Sequence, residues 1–429
     1  MDELQRARAV INECDDEIAA AFEKRMQAVK DIAAYKARNN IPVVDAGRES
    51  EIVEKSCERI SDDEIRPYFG EFIKSAITQS KKYQRDLITA RDKTIITVNA
   101  GEKPYDITIE RGSLKRAGEI LDLNRKALIV TDSGVPAIYA ETVASQCAEP
   151  YIYTVPQGER SKSPETWQAL LSFMLEKGFS RKDCVTAVGG GVVGDLAGFA
   201  ASAYMRGIDF YNVPTTVLSQ VDSSIGGKTA VNLDTFKNTV GAFYQPKAVI
   251  SDADTLLTLP ERQISNGLAE ALKAALISDP VMFEIFESGR ARDEIETVIR
   301  RSLLFKKRVV EQDEKEQGIR KILNFGHTIG HAVESEENLN GLYHGECVAL
   351  GMIPMCSDSV RERLLPVLKM LNLPVSVSFD KEALARALSH DKKGSSGKVS
   401  AVICSEIGTC EIKEMTNEEL SERAEIIRK

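Results

Sequence analysis

The first part of the chain, residues 1–91, has the apolar spacing of α-helices. From Asp2 to about Asn39 it contains no proline or glycine, and residues of high helix propensity dominate. Apolar positions recur at alternating steps of three and four, which predicts one long helix with an apolar stripe. Two further helices are predicted over 48–60 and 62–91. Residues 1–91 are therefore predicted to form an all-α domain.

The stripe on the long helix mixes apolar side chains with charges. It runs through Arg8, Ile11, Asp15, Ile18, Phe22, Arg25, Val29, Ile32 and Lys36. A helix of this length spans about 55 Å at 1.5 Å per residue. That is too long for a small monomeric domain, so we expect it to pair with a second copy. Either the charges extend to water from a dimerisation arm, or the cations of a packed seam bind an acidic ligand.

From residue 94 the pattern changes to short apolar runs that are typical of β-strands. Strands are predicted over 94–99, 105–110, 126–130, 151–155 and 184–188, and a helix over 164–177. A fully apolar run such as 126–130 is typical of a parallel strand that is covered on both faces. Residues 94–255 are therefore predicted to form an α/β domain.

Helical patterns return after residue 256. Helices are predicted over 260–277, 281–288, 293–312, 329–336 and 345–363, followed by two short strands over 399–404 and 408–413. Residues 256–429 are therefore predicted to form a third, mainly α domain.

The composition is that of a globular protein with an acidic charge balance. Of the 429 residues, 43% are hydrophobic and 28% are charged, and the formal net charge is -9 without a dense run of lysine or arginine. Both features argue against nucleic acid as a partner. The eight cysteines are scattered without CxxC pairs, which is typical of thiols in a reducing compartment.

Neither a signal peptide nor a membrane span is predicted. The amino terminus lacks the basic and then apolar order of a signal peptide. The longest apolar run, 184–205, contains Asp195 and five glycines, which is typical of a buried strand, turn and helix. We therefore expect a cytoplasmic protein without a membrane partner.

Three of the four histidines lie within residues 323–346, in LNFGHTIGHAVESEENLNGLYHGE. His327 and His331 are four residues apart and so share one face of a helix. His344 follows after a loop, and Glu270, with Lys273 one helical turn later, is the obvious further ligand. Neutral imidazole is the commonest metal ligand, and three N/O ligands with an open position are typical of catalytic zinc. The cluster therefore predicts a catalytic metal site.

The glycine-rich segment GGGVVGD at 189–195 matches GxGxxG between a predicted strand and a predicted helix. This is the context in which the motif binds the phosphates of a dinucleotide. Asp132 and Glu159 follow predicted strands, where carboxylates bind ribose hydroxyls. Asp195 would repel phosphates, so it is assigned to the nicotinamide-ribose end. The segment predicts a dinucleotide cofactor.

A second glycine pair, in GGKT at 226–229, imitates the phosphate loop of nucleotide triphosphatases. Asp222 stands where that motif requires glycine, so this interpretation is rejected. Lys228, Lys237 and Asn238 remain as donors for a carboxylate, a phosphate or a polyol.

The order of polar residues in the first domain resembles the all-helical chorismate mutase family. The matching positions are Arg8, Asp15, Arg25, Lys36, Asp45, Arg48, Glu49 and Gln84. In that family an intertwined dimer rearranges chorismate to prephenate by holding its two carboxylates in a compact conformer. The resemblance implies that Arg25, with Arg8 of the partner subunit, binds the carboxylates. It places Lys36 and Gln84 at the ether oxygen and Glu49 at the hydroxyl, and Asp45, Arg48 and Ser80 match the remaining pocket positions.

Residues 94–429 resemble 3-dehydroquinate synthase over their full length. The resemblance rests on GGGVVGD, VPTTVLSQVDSSIGGKTAV, NGLAEALK, LNFGHTIGHAVE and HGECVALGM. That family converts the phosphorylated keto acid DAHP to 3-dehydroquinate with NAD and a divalent metal, zinc or cobalt. The resemblance implies that Glu270, His327 and His344 are the metal ligands, and it makes His331 a proton-transfer residue rather than a ligand.

The same resemblance implies the residues around substrate and cofactor. Around the substrate it places Lys273, Arg320, Asn324, Lys228, Asn238, Asp222, Lys306, Lys398 and, from a neighbouring subunit, Arg206. Glu316 joins His331 as an acid–base residue. At the NAD it places Asp132, Glu159, Lys162, Gly190, Gly191, Val192, Asp195, Thr215, Thr216, Lys237 and Thr258. The resemblance thus implies that residues 94–255 form an NAD-binding domain and that residues 256–429 form a metal- and substrate-binding domain.

Three interpretations follow from these patterns. The favoured one is a bifunctional enzyme of aromatic amino-acid biosynthesis that acts on DAHP and chorismate as a homodimer or higher homo-oligomer. A metal-dependent polyol dehydrogenase would release its reduced cofactor and would need fewer cations near the metal. A non-catalytic first domain would dimerise the chain, or sense chorismate or prephenate, without mutase turnover.

Overall fold

The computed structural model describes residues 2–38, 46–89, 93–234, 236–337, 341–390 and 398–429. Its internal contacts divide the chain into two units, Met1–Lys93 and Thr94–Lys429. Within the described ranges, no helix is both long and apolar enough to span a bilayer.

The described part of the first unit consists of three helices, as the apolar spacing predicts. They are α1 (Glu3–Arg38), α2 (Ala46–Cys57) and α3 (Arg66–Thr89). The C-terminal half of α1 packs against α3, and Val29, Ala33 and Ile77 are buried. Over residues 4–22 of α1 the apolar side chains of Leu4, Val10, Ile11, Ile18 and Phe22 are exposed. Within the described part of the single chain, no apolar surface covers them.

The second unit is built on a mainly parallel sheet. Its strands are β1 (Thr94–Val98), β2 (Tyr105–Ile109), β3 (Lys126–Asp132), β4 (Glu149–Val155), β5 (Cys184–Gly189), β6 (Asp209–Pro214), β7 (Lys228–Leu233), β8 (Phe236–Phe243), β9 (Ala248–Ser251), β10 (Lys398–Ile403) and β11 (Glu411–Thr416). The main sheet has the order β1-β2-β9-β6-β5-β3-β4, in which only the β1–β2 pair of the described strands is antiparallel. The pairs β7–β8 and β10–β11 form separate antiparallel hairpins. Strand β5 is buried along its whole length, which explains its continuous apolar run.

Helices cover this sheet and form most of the C-terminal half. They are α4 (Ala117–Ile120), α5 (Ala137–Ala144), α6 (Pro164–Glu176), α7 (Gly191–Ala203), α8 (Glu261–Ser278), α9 (Pro280–Glu287), α10 (Ile295–Gln312), α11 (His327–Glu337), α12 (His344–Met352), α13 (Asp358–Met370), α14 (Lys381–His390) and α15 (Asn417–Ala424). The expected change from an α/β part to a mainly α part is confirmed.

The single helix predicted over 345–363 is wrong. The chain forms α12 and α13 instead, with a break after Met352. Pro354 lacks a backbone donor, and Cys356 is extended, at φ −97° and ψ 151°, where it pairs with Cys404. Both helices contribute apolar side chains to one core, so the helical period continues across the break and hides it.

Helices α8, α11 and α12 pack so closely that glycine is required between them. A Cβ on Gly345 would lie 2.0 Å from the carbonyl oxygen of Asn266, and a Cβ on Gly351 would lie 1.9 Å from that of Gly326. Contacts this short with backbone atoms do not occur for real Cβ atoms. The glycines among the histidines therefore serve helix packing, and this packing brings side chains of the three helices together.

Candidate active site

The candidate metal centre lies where α8, α11 and α12 converge. Oε1 of Glu270 lies 3.5 Å from Nε2 of His327 and 3.4 Å from Nε2 of His344. The Nδ1 atoms face other oxygens: the carbonyl of Phe325 at 3.1 Å for His327, and Oε2 of Glu334 at 3.2 Å for His344. A proton on each Nδ1 leaves the two Nε2 atoms as ligands beside Oε1.

His331 borders the same cluster from its solvent side. Its ring centroid lies 5.1 Å from that of His327 and 5.7 Å from that of His344. Nitrogen atoms of the three histidines all lie within 4.8 Å of one another. Glu270 is buried and His331 is exposed, so His331 is the most accessible of the four side chains.

The charges of this cluster fit a divalent cation. Oε1 of Glu270 is buried and accepts no well-directed hydrogen bond from the described residues. Burial raises the pKa of Glu270, but Lys273 and the imidazoles of His327 and His344 lower it to well below its usual range. Burial and Lys273 lower the pKa of His327 to about 3, so its imidazole is neutral at pH 7. A carboxylate with an unused oxygen beside neutral imidazole is a donor set that suits zinc or cobalt.

Glu334 belongs to this site although the sequence analysis missed it. It follows His331 by three residues on α11, so the two side chains share a helix face. Its two oxygens lie 3.2 Å from Nδ1 of His344 and 2.8 Å from Nζ of Lys237. Burial lowers the pKa of His344, but the nearby carboxylates of Glu270 and Glu334 raise it to about 10. The spacing HxxxHxxE within HTIGHAVE was the available signal.

Buried cations surround the cluster. Nζ of Lys273 lies 2.5 Å from Oε2 of Glu270, and Nζ of Lys306 lies 2.9 Å from Oδ1 of Asp222. Arg320 is also buried: it donates to the carbonyl of Gly226 at 3.1 Å, and its Nε has no acceptor among the described residues. Buried positive groups with unused donors suit an anionic ligand.

Glu316 is held as a carboxylate by two of the predicted substrate residues. Nδ2 of Asn324 donates to Oε1 at 2.9 Å, and Lys228 forms an ion pair with Oε2. Burial raises the pKa of Glu316, but the hydrogen bond from Lys228 lowers it below its usual value. Lys228 begins strand β7 rather than a helix, so GGKT does not form a phosphate loop of the triphosphatase type.

The glycine motif occupies the turn between β5 and α7. Gly190 is the N-cap of α7 and supplies no side-chain cap, so the first N–H groups of the helix, including that of Val192, stay available for an anion. A Cβ on Gly190 would lie 3.2 Å from Cγ2 of Thr216, and one on Gly191 would lie 3.1 Å from Oγ of Ser223. The turn is therefore a cradle that added side chains would fill, which fits a dinucleotide phosphate.

The other predicted cofactor residues lie on neighbouring elements. Asp132 is the last residue of β3 and accepts a hydrogen bond from the N–H of Gly134 at 2.8 Å. Glu159 accepts one from Nδ2 of Asn232 at 2.8 Å. The N–H of Thr215 donates to the carbonyl of Gly189 at 3.0 Å. Nζ of the buried Lys162 lies 2.5 Å from Oδ2 of Asp195 and also contacts Oδ1 of Asn238. The hydroxyl groups of Thr258 and Tyr139 are hydrogen-bonded at 2.9 Å. Lys162 thus joins the glycine turn to the β7–β8 hairpin.

Two predicted substrate residues are not joined to this network. Arg206 and Lys398 are exposed, and their side chains form no ion pair or hydrogen bond in the described part of the chain. Arg206 has a φ of 68° and follows Met205 at φ 48°, a left-handed pair that side chains rarely adopt. Arg206 therefore lies in a strained turn with its side chain exposed.

In the first unit, α1 and α3 bring part of the predicted chorismate site together. Nε of Arg25 donates to Oγ of Ser80 at 3.1 Å, and Gln84 is buried with its Oε1 unpaired among the described residues. Lys36 is half-buried, whereas Arg8 is exposed in the single chain. Asp45 lies outside the described residues. Arg48 and Glu49 lie on α2, but their side chains are outside the described set.

Comparison with known proteins assigns both units to families. Residues 152–266 match 3-dehydroquinate synthase N-terminal, residues 267–394 match 3-dehydroquinate synthase C-terminal, and residues 7–85 match chorismate mutase type II. The 3-dehydroquinate synthase of Pelobacter propionicus is 39% identical over 350 residues, which cover 76% of this chain and 98% of that protein.

Two solved structures of other synthases are similar in fold to most of the chain. A 2-deoxy-scyllo-inosose synthase complexed with carbaglucose-6-phosphate, NAD+ and Co2+ has a TM-score of 0.71 at 27% identity and covers 77% of this chain and 99% of its own. The 2-epi-5-epi-valiolone synthase of Streptomyces hygroscopicus subsp. jinggangensis, with NAD+ and Zn2+ bound, has a TM-score of 0.70 at 28% identity and covers 77% and 98%. The chain therefore belongs to the 3-dehydroquinate synthase family, and a domain of the chorismate mutase type II family precedes that enzyme in the same polypeptide.

Proposed function

We propose that residues 94–429 convert DAHP to 3-dehydroquinate and phosphate with NAD and a divalent metal, and that residues 1–91 rearrange chorismate to prephenate. The first activity is supported above all by the approach of Glu270 to His327 and His344, at 3.5 Å and 3.4 Å, beside the buried Lys273. Similar proteins hold NAD+ together with Co2+ or Zn2+, which agrees with this donor set.

The chain offers one set of residues for each cofactor. Glu270, His327 and His344 would hold the metal, and the turn at Gly190 and Gly191 would hold the pyrophosphate of NAD. When bound, the metal supplies Lewis acidity at a substrate hydroxyl, and NAD supplies a hydride acceptor that is restored in every turnover.

The chain's own residues bind the anionic substrate and move its protons. Lys273, Lys306 and Arg320 present buried positive charge to the carboxylate and phosphate of DAHP, which are the groups such cations recognise. His331, exposed at the edge of the cluster, and Glu316, paired with Lys228, would transfer the protons. Many cations beside a metal suit a phosphorylated keto acid better than a neutral polyol.

For the mutase activity, the support is a partly formed clamp on α1 and α3. Arg25 is fixed by Ser80 at 3.1 Å, and the buried Gln84 lies one helical turn after Ser80 on α3, where its amide N–H groups would be the donors to the ether oxygen. The reaction is an intramolecular shift, so it needs donors that hold the carboxylates and the ether oxygen rather than a nucleophile.

We further propose that the mutase site is completed by a second copy of the chain. Residues 4–22 of α1 carry exposed apolar side chains, including Ile11, Ile18 and Phe22, and the exposed Arg8 lies on the same helix. A second α1 laid along this stripe would bury it and would bring Arg8 of the partner subunit towards the pocket of Arg25.

Both activities are tested on one purified protein with two variants. Arg25→Ala should lower mutase turnover at least about a hundredfold and leave the synthase unchanged, because it removes the carboxylate clamp. His327→Ala should do the reverse, so each activity is the control for the other. Lys24→Ala, an exposed neighbour of Arg25, is the matched control for the loss of a cation on α1.

The cofactor balance separates the synthase from a polyol dehydrogenase. A synthase restores NAD within each turnover, so substoichiometric NAD should support many turnovers without accumulation of NADH. Stoichiometric release of NADH from a polyol, without phosphate release from DAHP, would contradict the proposed function.

A further inference from the structure

We propose that Glu334 is a positioning residue of the metal centre: its carboxylate orients the imidazole of His344, and Lys237 restrains that carboxylate in turn. This inference rests on the proposed metal site and adds a residue to it. Glu334 lies on α11, His344 at the start of α12 and Lys237 on the β7–β8 hairpin, so the chain of contacts joins three separate elements.

The two ring nitrogens of His344 face two different carboxylates. Nδ1 lies 3.2 Å from Oε2 of Glu334, while Nε2 lies 3.4 Å from Oε1 of Glu270. The two ring nitrogens point in different directions, so Glu334 cannot ligate an ion that is bound at Nε2. Its role is instead to accept the Nδ1 proton, which fixes both the tautomer and the ring orientation.

The backbone contacts of α12 do not supply this orientation. The N–H of Gly345 donates to Oδ1 of Asn266 at 2.6 Å, and Arg262 binds the carboxylate of Glu346. Both contacts hold the first turn of the helix against α8, but neither reaches the imidazole. Among the described residues, Glu334 is the side chain that contacts Nδ1 of His344.

Lys237 makes this arrangement more rigid than a lone hydrogen bond. Its Nζ lies 2.8 Å from Oε1 of Glu334, so the two carboxylate oxygens are each directed to a different partner. The family resemblance places Lys237 at the NAD. The Lys237–Glu334–His344 series therefore links the cofactor side of the cleft to a metal ligand, and loss of Glu334 should weaken metal binding even without substrate.

The test is the zinc affinity of the full chain, measured by competition with a chromophoric chelator. We expect Glu334→Ala to weaken zinc binding about 10-fold to 100-fold, as removal of such partners of metal-bound histidine does. Glu334→Gln keeps a neutral hydrogen-bond acceptor, so its zinc affinity should fall less than that of Glu334→Ala. Glu311→Gln is the matched control, because Glu311 has a similar exposure of 21% against 18% and pairs with Lys307 at 2.7 Å.

A double-mutant cycle separates positioning of His344 from a general effect on folding. In the His344→Ala background, where Glu270 and His327 remain and the chelator competition measures the weaker residual affinity, Glu334→Ala should cause no further loss, because the ring that it orients is gone. The absorption spectrum of the Co2+-loaded protein should change in Glu334→Ala and not in Glu311→Gln. An equal loss with and without His344, or unchanged affinity in Glu334→Ala, would overturn the proposal.

Failure of the underlying metal site gives a different result. If the unmodified protein binds no zinc, or if His327→Ala binds it as tightly as the unmodified protein, then the proposed function is wrong. If those two results are as expected and only the Glu334 variants behave like the control, then the site stands and this inference is wrong.

Discussion

Arg262 on α8 donates two hydrogen bonds, each of 2.7 Å, to the carboxylate of Glu346 on α12. Glu346 is buried and also accepts the N–H of Tyr343 at 2.8 Å, which closes the first turn of the helix. His344 lies two residues before Glu346. This ion pair therefore sets the position of α12, and with it His344, on the helix that carries Glu270.

Arg262→Met should destabilise the second unit by about 1–2 kcal/mol: it leaves the buried carboxylate of Glu346 without its cation, but Arg262 is 50% exposed, so water screens part of the pair. Urea unfolding followed by circular dichroism measures this difference. The double variant Arg262→Met with Glu346→Gln should recover part of the stability, since the buried charge is then removed as well. A double variant less stable than the single one would contradict this explanation.

Single substitutions of the histidines should separate metal ligation from proton transfer. His327→Ala should abolish stoichiometric zinc binding and synthase turnover together. His331→Ala should keep one bound zinc per site, and kcat should fall about 10²-fold to 10⁴-fold, because an exposed acid–base group is lost rather than a ligand. Metal content after dialysis and steady-state kinetics give both values. Loss of zinc from His331→Ala would favour a three-histidine ligand set.

Mixing two inactive mutase variants should restore activity if the site is shared between subunits. Arg8→Ala and Arg25→Ala each remove one half of the carboxylate clamp. After subunit exchange, half of the dimers are mixed, and each mixed dimer has one intact site. About a quarter of the unmodified mutase activity should therefore return. If the mixture stays inactive although exchange is shown by mass spectrometry, Arg8 does not act from the partner.

Acid should weaken the contribution of Asp222 to stability. Burial raises the pKa of Asp222, but Lys306, at 2.9 Å, and Lys273 lower it below its ordinary value of 3.8. A lowered pKa in the folded state stabilises the protein above pH 3.8, and this contribution is lost as the pH falls through the folded value. Asp222→Asn should therefore be less stable than the unmodified protein by a constant amount from pH 5 to 8, and by less below pH 3.8.

Free energies of unfolding in urea across this pH range measure the effect. Asp358→Asn is the control, because Asp358 pairs with Arg361 but its side chain is 92% exposed, so it should change little at any pH. If the difference in stability between Asp222→Asn and the unmodified protein grows in acid, then the pKa of Asp222 is not lowered in the folded state.

Much of the fold could be predicted because its signals are local. Helical spacing predicts α1 to within a residue or two, and the continuous apolar run at 184–188 predicts the buried strand β5. The break at Pro354 and Cys356 was not predictable from spacing, because α12 and α13 bury their apolar faces in one core. Pro354 was the one local signal of a break, and the extended backbone of Cys356, paired with Cys404, is seen only in the structure.

The candidate site divides in the same way. His327 and His331 share a face because they are four residues apart on one helix, and the glycine motif lies between a strand and a helix by its position alone. Glu334 lies three residues after His331 on the same helix, but its role is evident only from its contact with Nδ1 of His344. Asp45, Arg48 and Glu49 stay predictions, since their side chains are outside the described residues.

The sequence by itself determined the three helices of the first unit, strands β1 to β5, most of the helices after residue 256, and the resemblance to two enzyme families. It did not predict strands β6 to β9 or helices α5, α14 and α15. The predicted features depend on neighbours within a few residues or on motifs that can be compared directly. Only the tertiary structure decided that Glu270 faces both His327 and His344 and that Glu334 holds the second ring. Those contacts join different helices, and they exist because α8, α11 and α12 approach closely enough that a Cβ on Gly345 or Gly351 would overlap the neighbouring backbone.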